Sequence, residues 1–236
     1  TLAAAIEAAK AMGCPVVLKP GQLDQGLGVE AGLADEAELR TAYQRARKHA
    51  HTLLLEKHVS GNDYRVYVVQ GELVAVAHRI PAQVVGDGVL SVDTLVAQTN
   101  QARLAAPDRG ALSKPIVLDD EALALLARAG LETGSVPSRG QQVVLCRSAN
   151  VSRGGCSVDV TAVVHPDNAA LCVRAAALLR LDIAGLDLLM PDISRSWREG
   201  GAGFCEANAQ PQMGGAHPWI FDDILRRFVR GRGRIP

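Results

Sequence analysis

Aromatic side chains are scarce in this chain of 236 residues: three Phe, three Tyr and two Trp. That scarcity excludes the stacking platform on which single-stranded nucleic acid is usually held. Excess charge is absent too, because 25 Lys and Arg balance 25 Asp and Glu. No long-range field therefore steers the chain toward nucleic acid or an anionic bilayer. No apolar run is long enough to span a membrane, and no secretory leader is visible. The five cysteines, Cys14, Cys146, Cys156, Cys172 and Cys205, include no CxxC pair. Zinc-ribbon spacing is thereby excluded, and the scattered thiols are expected to be reduced and buried, as in a cytoplasmic protein.

What is present is enough apolar sequence to bury a full core, patterned in alternation between helix and strand periods. Residues 2–12 are Ala-rich and helical, with Gly13 as the stop. Strands are expected at 15–19, about 29, and 52–57, with Asp35 capping a helix from 36 to about 50. Residues 64–70 and 73–80 read as a hairpin closed at Gln70-Gly71. Residues 81–118 are richer in Gly, Pro and polar side chains and read as an insertion with one short helix near 92–100. Helices follow at 121–129, 166–179 and 219–229, and strands at 142–147, 157–161, 182–190 and 203–209. The fold class is α+β, with two lobes and no internal repeat.

Three polar constellations stand out. Asp187 interrupts an apolar strand, and Glu206 and Asn208, two apart in another, share a face. If those strands pair, the three oxygen donors suit Mg²⁺, which takes a few carboxylates plus phosphate oxygens; each taken singly reads as a solvated strand end. Lys19 ends an apolar strand and opens a loop bearing Gly26 and Gly28. That loop is neither a Walker A motif nor a dinucleotide fingerprint, and taken alone it reads as an ordinary hairpin loop sooner than as a phosphate cradle. The segment from Glu56 and Lys57 through Val59 to Asp63 has the shape of an inter-lobe hinge, or of a solvated hairpin. Arg65, Arg79 and Arg147, the last followed by Asn150, supply guanidinium forks for carboxylate or phosphate oxygens.

Taken in order, these pieces resemble the ATP-grasp superfamily, and more closely the cyanophycin synthetases. The resembling stretches include Pro15–Pro20, Asp63–Val66, Pro81–Gly88, Arg109-Gly110, Val136-Pro137, Ser148–Gly155, Asp159–Thr161, His165–Asn168, Leu181–Asp187 and Glu206–Asn208. The resemblance implies an ATP-grasp fold of two lobes, each with a mostly antiparallel sheet and flanking helices, and a carboxylate–amine ligase that forms ADP through an acyl phosphate. It implies ATP and Mg²⁺ as cofactors, and as partners a small-molecule or peptide carboxylate and an amino-acid amine such as aspartate, with a homo-oligomer allowed. It assigns Lys19, Gly26, Gly28, Glu56, Lys57, Val59 and Asp63 to the nucleotide, with Asp63 on ribose. It assigns Asp187, Glu206 and Asn208 to the metal, and Arg65, Arg79, Arg147 and Asn150 to substrate or intermediate.

The lobes are expected at 1–75 and 76–230. Residues 231–236 read as a linker toward a Mur-ligase-like domain, and the start at Thr1 reads as the cut end of a longer polypeptide. One departure is plain: after Asn208 the family's Pro-Gly and basic stretch are replaced by Ala209-Gln-Pro211-Gln212. The alternative this leaves open is a catalytically weak ATP- or peptide-binding module.

Overall fold

A computed structural model describes residues 1–21, 28–105, 114–149, 151–212 and 219–230. In chain order it runs α1 (Leu2–Met12), β1 (Val16–Pro20), β2 (Glu30–Leu33), α2 (Glu36–Ala46), β3 (Leu53–Lys57), β4 (Asn62–Val69), β5 (Glu72–Ile80) and β6 (Gln83–Val85). It continues with α3 (Val92–Ala105), α4 (Asp120–Arg128), β7 (Gln142–Val144), β8 (Cys156–Asp159), α5 (Pro166–Leu178), β9 (Ile183–Met190), α6 (Trp197–Gly200), β10 (Gly203–Asn208) and α7 (Trp219–Arg230). All pairings are antiparallel, in three sheets ordered β2-β1-β3, β10-β9-β4-β5-β8 and β6-β7.

Among the described residues, the packed core of the first sheet lies on one face. Val16 and Leu18 of β1 point into a core made with Ile6 and Ala9 of α1 and Leu39, Ala42 and Ala46 of α2. Their strand neighbours Val17 and Lys19 point the other way by pleat alternation, and register puts Glu56 opposite Val17 and Leu54 opposite Lys19. That second face is the open one, and Leu54 is exposed on it. Helix α2 starts as Asp35 predicts: its carboxylate accepts from the Glu38 amide at 2.8 Å, while Glu38 reaches back to the Ala34 amide at 2.8 Å. Two orphan amides are thereby satisfied reciprocally.

The large sheet has two unlike faces. Tyr64, Val66 and Val68 of β4 alternate with Asp63, Arg65 and Tyr67. The apolar set meets Leu186, Leu188 and Met190 of β9 and Cys172 and Ala176 of α5 in a second core. Asn168 of α5 is fully buried there. Its Nδ2 donates to the carbonyls of Ile193 (2.8 Å) and Arg195 (2.7 Å), and its Oδ1 accepts from the Trp197 amide (2.9 Å). One amide side chain thus closes the turn that carries the chain from β9 toward β10.

The sheet topology bears on where the chain divides. A division at residue 75 falls inside β5, and β4 and β5 both belong to the large sheet, so the sheets divide in the segment between Lys57 and Asn62. The expected insertion at 81–118 is also longer. Strand β6 pairs with β7 some sixty positions later, and Ala82, Val84, Leu95, Leu126, Val143 and Leu145 form a core of their own. Helix α3 runs on to Ala105. The linker expected at 231–236 lies outside the described residues. Two thiols depart from the expectation of burial: Cys14 and Cys205 are exposed, whereas Cys146 and Cys172 are buried and all five are unpaired. Burial pushes the Cys172 thiol up to about 12. Among the described residues no helix is long and apolar enough to cross a membrane.

Candidate active site

The second face of the large sheet carries nearly all its charge, and strand register arranges it as a grid. One row runs Glu206 (β10), Asp187 (β9), Arg65 (β4), Ala77 (β5) and Asp159 (β8), each opposite the next. The flanking rows place Asn208 opposite Gly185, and Asp63 opposite Arg79. Residues opposite each other in an antiparallel pair share a face, so Asp187, Glu206 and Asn208 lie on one face of the sheet.

Asp187 is the centre of this face, with only 5% of its side chain exposed. Arg65 Nε lies 2.5 Å from its Oδ1 and Arg65 Nη2 donates to its Oδ2 at 3.2 Å. Arg79 Nη2 donates to the same Oδ2 at 2.8 Å and to Asp63 Oδ1 at 2.6 Å, and Arg79 Nε adds a bond to Asp63 Oδ1 at 2.9 Å. The result is a half-buried chain of alternating charge: Arg65, Asp187, Arg79, Asp63. Burial alone would lower the Arg79 pKa, but the Asp63 and Asp187 carboxylates hold it above the usual guanidinium value. Burial pushes the Asp63 carboxyl up, against the pull of Arg79.

The donor set fits a divalent cation. Asp187 Oδ1 is buried and has a charge contact but no aligned hydrogen bond. Glu206 is exposed and Asn208 half-exposed. No hydrogen bond or ion pair joins the Glu206 carboxylate or the Asn208 amide to any other described residue. Two carboxylates and an amide oxygen are the hard donors Mg²⁺ takes. Among the described residues no cluster of three His, Cys, Asp or Glu side chains exists, so the amide of Asn208 is needed to complete a third position.

The nucleotide set divides. Lys19 and Glu56 share the open face of the first sheet and form an ion pair at 2.8 Å. Lys57 and Val59 are exposed. A Cβ built on Gly203 would sit 3.0 Å from Val59 Cγ2, so the segment after β3 packs on the start of β10. Gly28 has φ +74, and a Cβ there would lie 3.0 Å from Pro20 Cγ, which favours glycine. Gly26 lies outside the described residues, as does Asn150. Although Cys205 is exposed as a residue, its sulfur turns inward to the Asp187 carbonyl at 3.5 Å, and the packing around that sulfur, with the Asp187 and Asp63 charges, pushes the thiol up to about 12.

Arg147 stands apart from the arginine pair. Its amide donates to Glu121 Oε1 at 3.0 Å and its Nη1 to Glu30 Oε2 at 3.2 Å. Glu30, 12% exposed, is forked by Arg45 at 2.6 and 2.9 Å. Arg147 therefore ties the unit built on β6 and β7 to the first sheet. Sequence reading missed Glu30, Glu121 and Asn168. The available signals were a Glu within a short strand, a Glu in the first turn of α4, and an Asn on the inward stripe of α5.

Gly185 shapes the floor. A Cβ there would overlap Pro211 Cβ and lie 3.2 Å from Arg65 Nη1. Pro211 and Gln212, whose carbonyl accepts from Tyr67 Oη at 3.0 Å, thus fold back over the charged face.

No family model matches the chain. It is 39% identical over 199 residues to the cyanophycin synthetase of Nostoc sp., covering 84% of this chain and 22% of that protein. It is 34% identical over 211 residues to the glutathione biosynthesis bifunctional protein GshAB of Mannheimia succiniciproducens, covering 85% of this chain and 27% of the relative. The crystal structure of a bifunctional glutathione synthetase from Pasteurella multocida superposes on 97% of this chain and 32% of its own length, with TM-score 0.62 and 30% identity. This chain is an ATP-grasp domain related to the cyanophycin synthetases. A D-alanine–D-alanine ligase from Bacillus anthracis shares the fold at TM-score 0.52, 12% identity and 95% coverage of this chain (57% of its own). The chain spans about a quarter of the length of the curated relatives it matches.

Proposed function

We propose that this ATP-grasp domain joins a carboxylate to an amine with ATP, releasing ADP and phosphate through an acyl phosphate. The observation that carries the reading is the register placing Asp187, Glu206 and Asn208 on one face beside Arg65 and Arg79. A carboxylate is a poor electrophile, and phosphorylation gives it a leaving group. Transfer brings anionic oxygens together, so the protein's work is positioning and charge neutralisation. Mg²⁺, held by Asp187, Glu206 and Asn208, would neutralise phosphate oxygens. Arg65 and Arg79 face the developing charge of the transferring group. Lys19 takes phosphate, exchanging its Glu56 partner for the nucleotide, while Glu56, Lys57 and Val59 border the base and Gly28 shapes the loop above the phosphates. Arg147 holds the unit built on β6 and β7 against the first sheet and so helps to close the site.

The relatives named cyanophycin synthetase support an amino acid such as aspartate as the amine and a peptide as the carboxylate. The test is ADP release by the purified chain with Mg²⁺, ATP, a panel of peptide carboxylates and single amino acids, with products read by mass spectrometry. A peptide lengthened by one residue, with one ADP formed per bond, is the expected result. ADP affinity without any acceptor-dependent release would reduce the chain to a nucleotide-binding module.

A further inference from the structure

Helix α7 seats Ile220 and Ile224 against Tyr67, Val69, Val74 and Ala75 of the large sheet. Arg227, on the same side, donates to Asp223 and to Glu72, each at 2.6 Å. Those contacts occupy one side of the helix. A second stripe is left in water: Phe221 is 51% exposed, Leu225 62% and Phe228 38%. Their spacing of four and then three residues is that of a helix-pairing seam. One step further round the helix, Asp222 and Arg226 edge the stripe, and both are exposed. They stand four apart, yet neither makes an ion pair with the other or with another described residue.

We infer that this stripe is the contact between two copies of the chain, with their α7 helices antiparallel. Charge decides both the occupant and the direction. The acid comes before Leu225 and the base after it. A twofold crossing near Leu225 therefore sets Asp222 of each copy against Arg226 of the other, while Phe221 of each meets Phe228 of the other. A parallel pair would set like charge on like. A patch that complements itself in this way needs no second kind of partner. The three apolar side chains expose on the order of 300 Å² per copy. Two copies with their charged flanks stay under about 1,200 Å², the class of weak, reversible association. None of these side chains belongs to the proposed ligase site, so the contact stands apart from that reading.

The experiment is sedimentation velocity on the purified chain from about 1 to about 300 μM, the window in which so small an interface titrates. The expected result is a mass that climbs with concentration toward twice that of a single chain. Leu225→Lys is expected to weaken association by about tenfold or more. Asp222→Arg and Arg226→Asp each set like charges together at two symmetric places, and each is expected to weaken it by about fivefold or more. The double variant, Asp222→Arg with Arg226→Asp, restores opposite charges across the twofold and is expected to return to within about threefold of wild type. A single-chain mass across the whole range overturns the inference and leaves the stripe to a different partner. Association untouched by Leu225→Lys overturns it by placing the contact elsewhere. A double variant no better than the single ones overturns the antiparallel pairing. Should Leu225→Lys fold poorly by circular dichroism, the charge series, which alters only exposed side chains, decides alone.

Discussion

Arg65 and Asp187 stand opposite one another on β4 and β9, and Arg65 Nε lies 2.5 Å from Asp187 Oδ1 although the two are 122 positions apart in sequence. Asp187 is also the acceptor for Arg79, so a single carboxylate holds two guanidinium groups on one sheet face. Removing it strands Arg65 and leaves Arg79 with Asp63 alone. Asp187→Leu is expected to cost about 3–5 kcal/mol, the range for deleting one partner of a buried ion pair. Urea unfolding at neutral pH checks this; a variant within about 1 kcal/mol of wild type would mean that solvent or a rearranged partner already satisfies both arginines.

Glu206 behaves oppositely, because its carboxylate has no partner among the described residues to lose. Glu206→Gln is expected to melt within about 2 °C of wild type. Ligand linkage should fail in it. Wild type gains about 2.7 kcal/mol at a Mg·ADP concentration a hundred times Kd. The variant should gain much less, and it should release no ADP. Melting curves with and without Mg·ADP read both effects at once, and full stabilisation of the variant would remove Glu206 from the metal set.

Most elements of this fold were legible because each writes a local signal; the short β6 and α6 were not read. Asp35 and Glu38 announce the start of α2, Pro166 the start of α5, and an apolar run broken only by Asp187 announces the strand at 183–190. The shared face of Glu206 and Asn208 was legible for the same reason. The pairing of β4 with β9 was not, because periodicity fixes which side a residue faces and says nothing about which strand lies next to it. Hence Asp63, Arg65, Arg79 and Asp187 were each picked out, yet with separate roles, and only the register joined them into one charge chain. Arg147 illustrates the same limit: its partner Glu30 lies 117 positions earlier in another sheet.

Asn168 offers a test of that long-range layer. Its side chain bonds three backbone groups of residues 193–197, and it has no surface exposed. Asn168→Ala leaves the Arg195 carbonyl and the Trp197 amide without their partner, each worth about 1 kcal/mol or more, while the Ile193 carbonyl keeps the His165 amide. The expected destabilisation is about 2–4 kcal/mol, with early amide exchange at Trp197. Exchange at Trp197 as slow as in wild type would show that the turn holds without the clamp.

His78 gives the chain a pH dependence whose sign follows from its surroundings. Its ring stacks on Tyr64 with centroids 4.9 Å apart, on the apolar face of the large sheet, and burial lowers its pKa from 6.5 despite the nearby Asp63 charge. Below 6.5 the unfolded chain therefore binds a proton that the folded chain resists, so folding stability rises with pH through that window and falls as the solution is acidified. Acidifying from pH 7 toward 5 should lower the melting temperature of wild type more than that of His78→Leu, which keeps apolar contact with Tyr64 and cannot take the proton. The difference between the two slopes isolates His78 from the carboxylates that also titrate on the acid side. Parallel slopes would mean that the imidazole is solvated enough to titrate alike in both states, and that the stack with Tyr64 does not exclude its charged form.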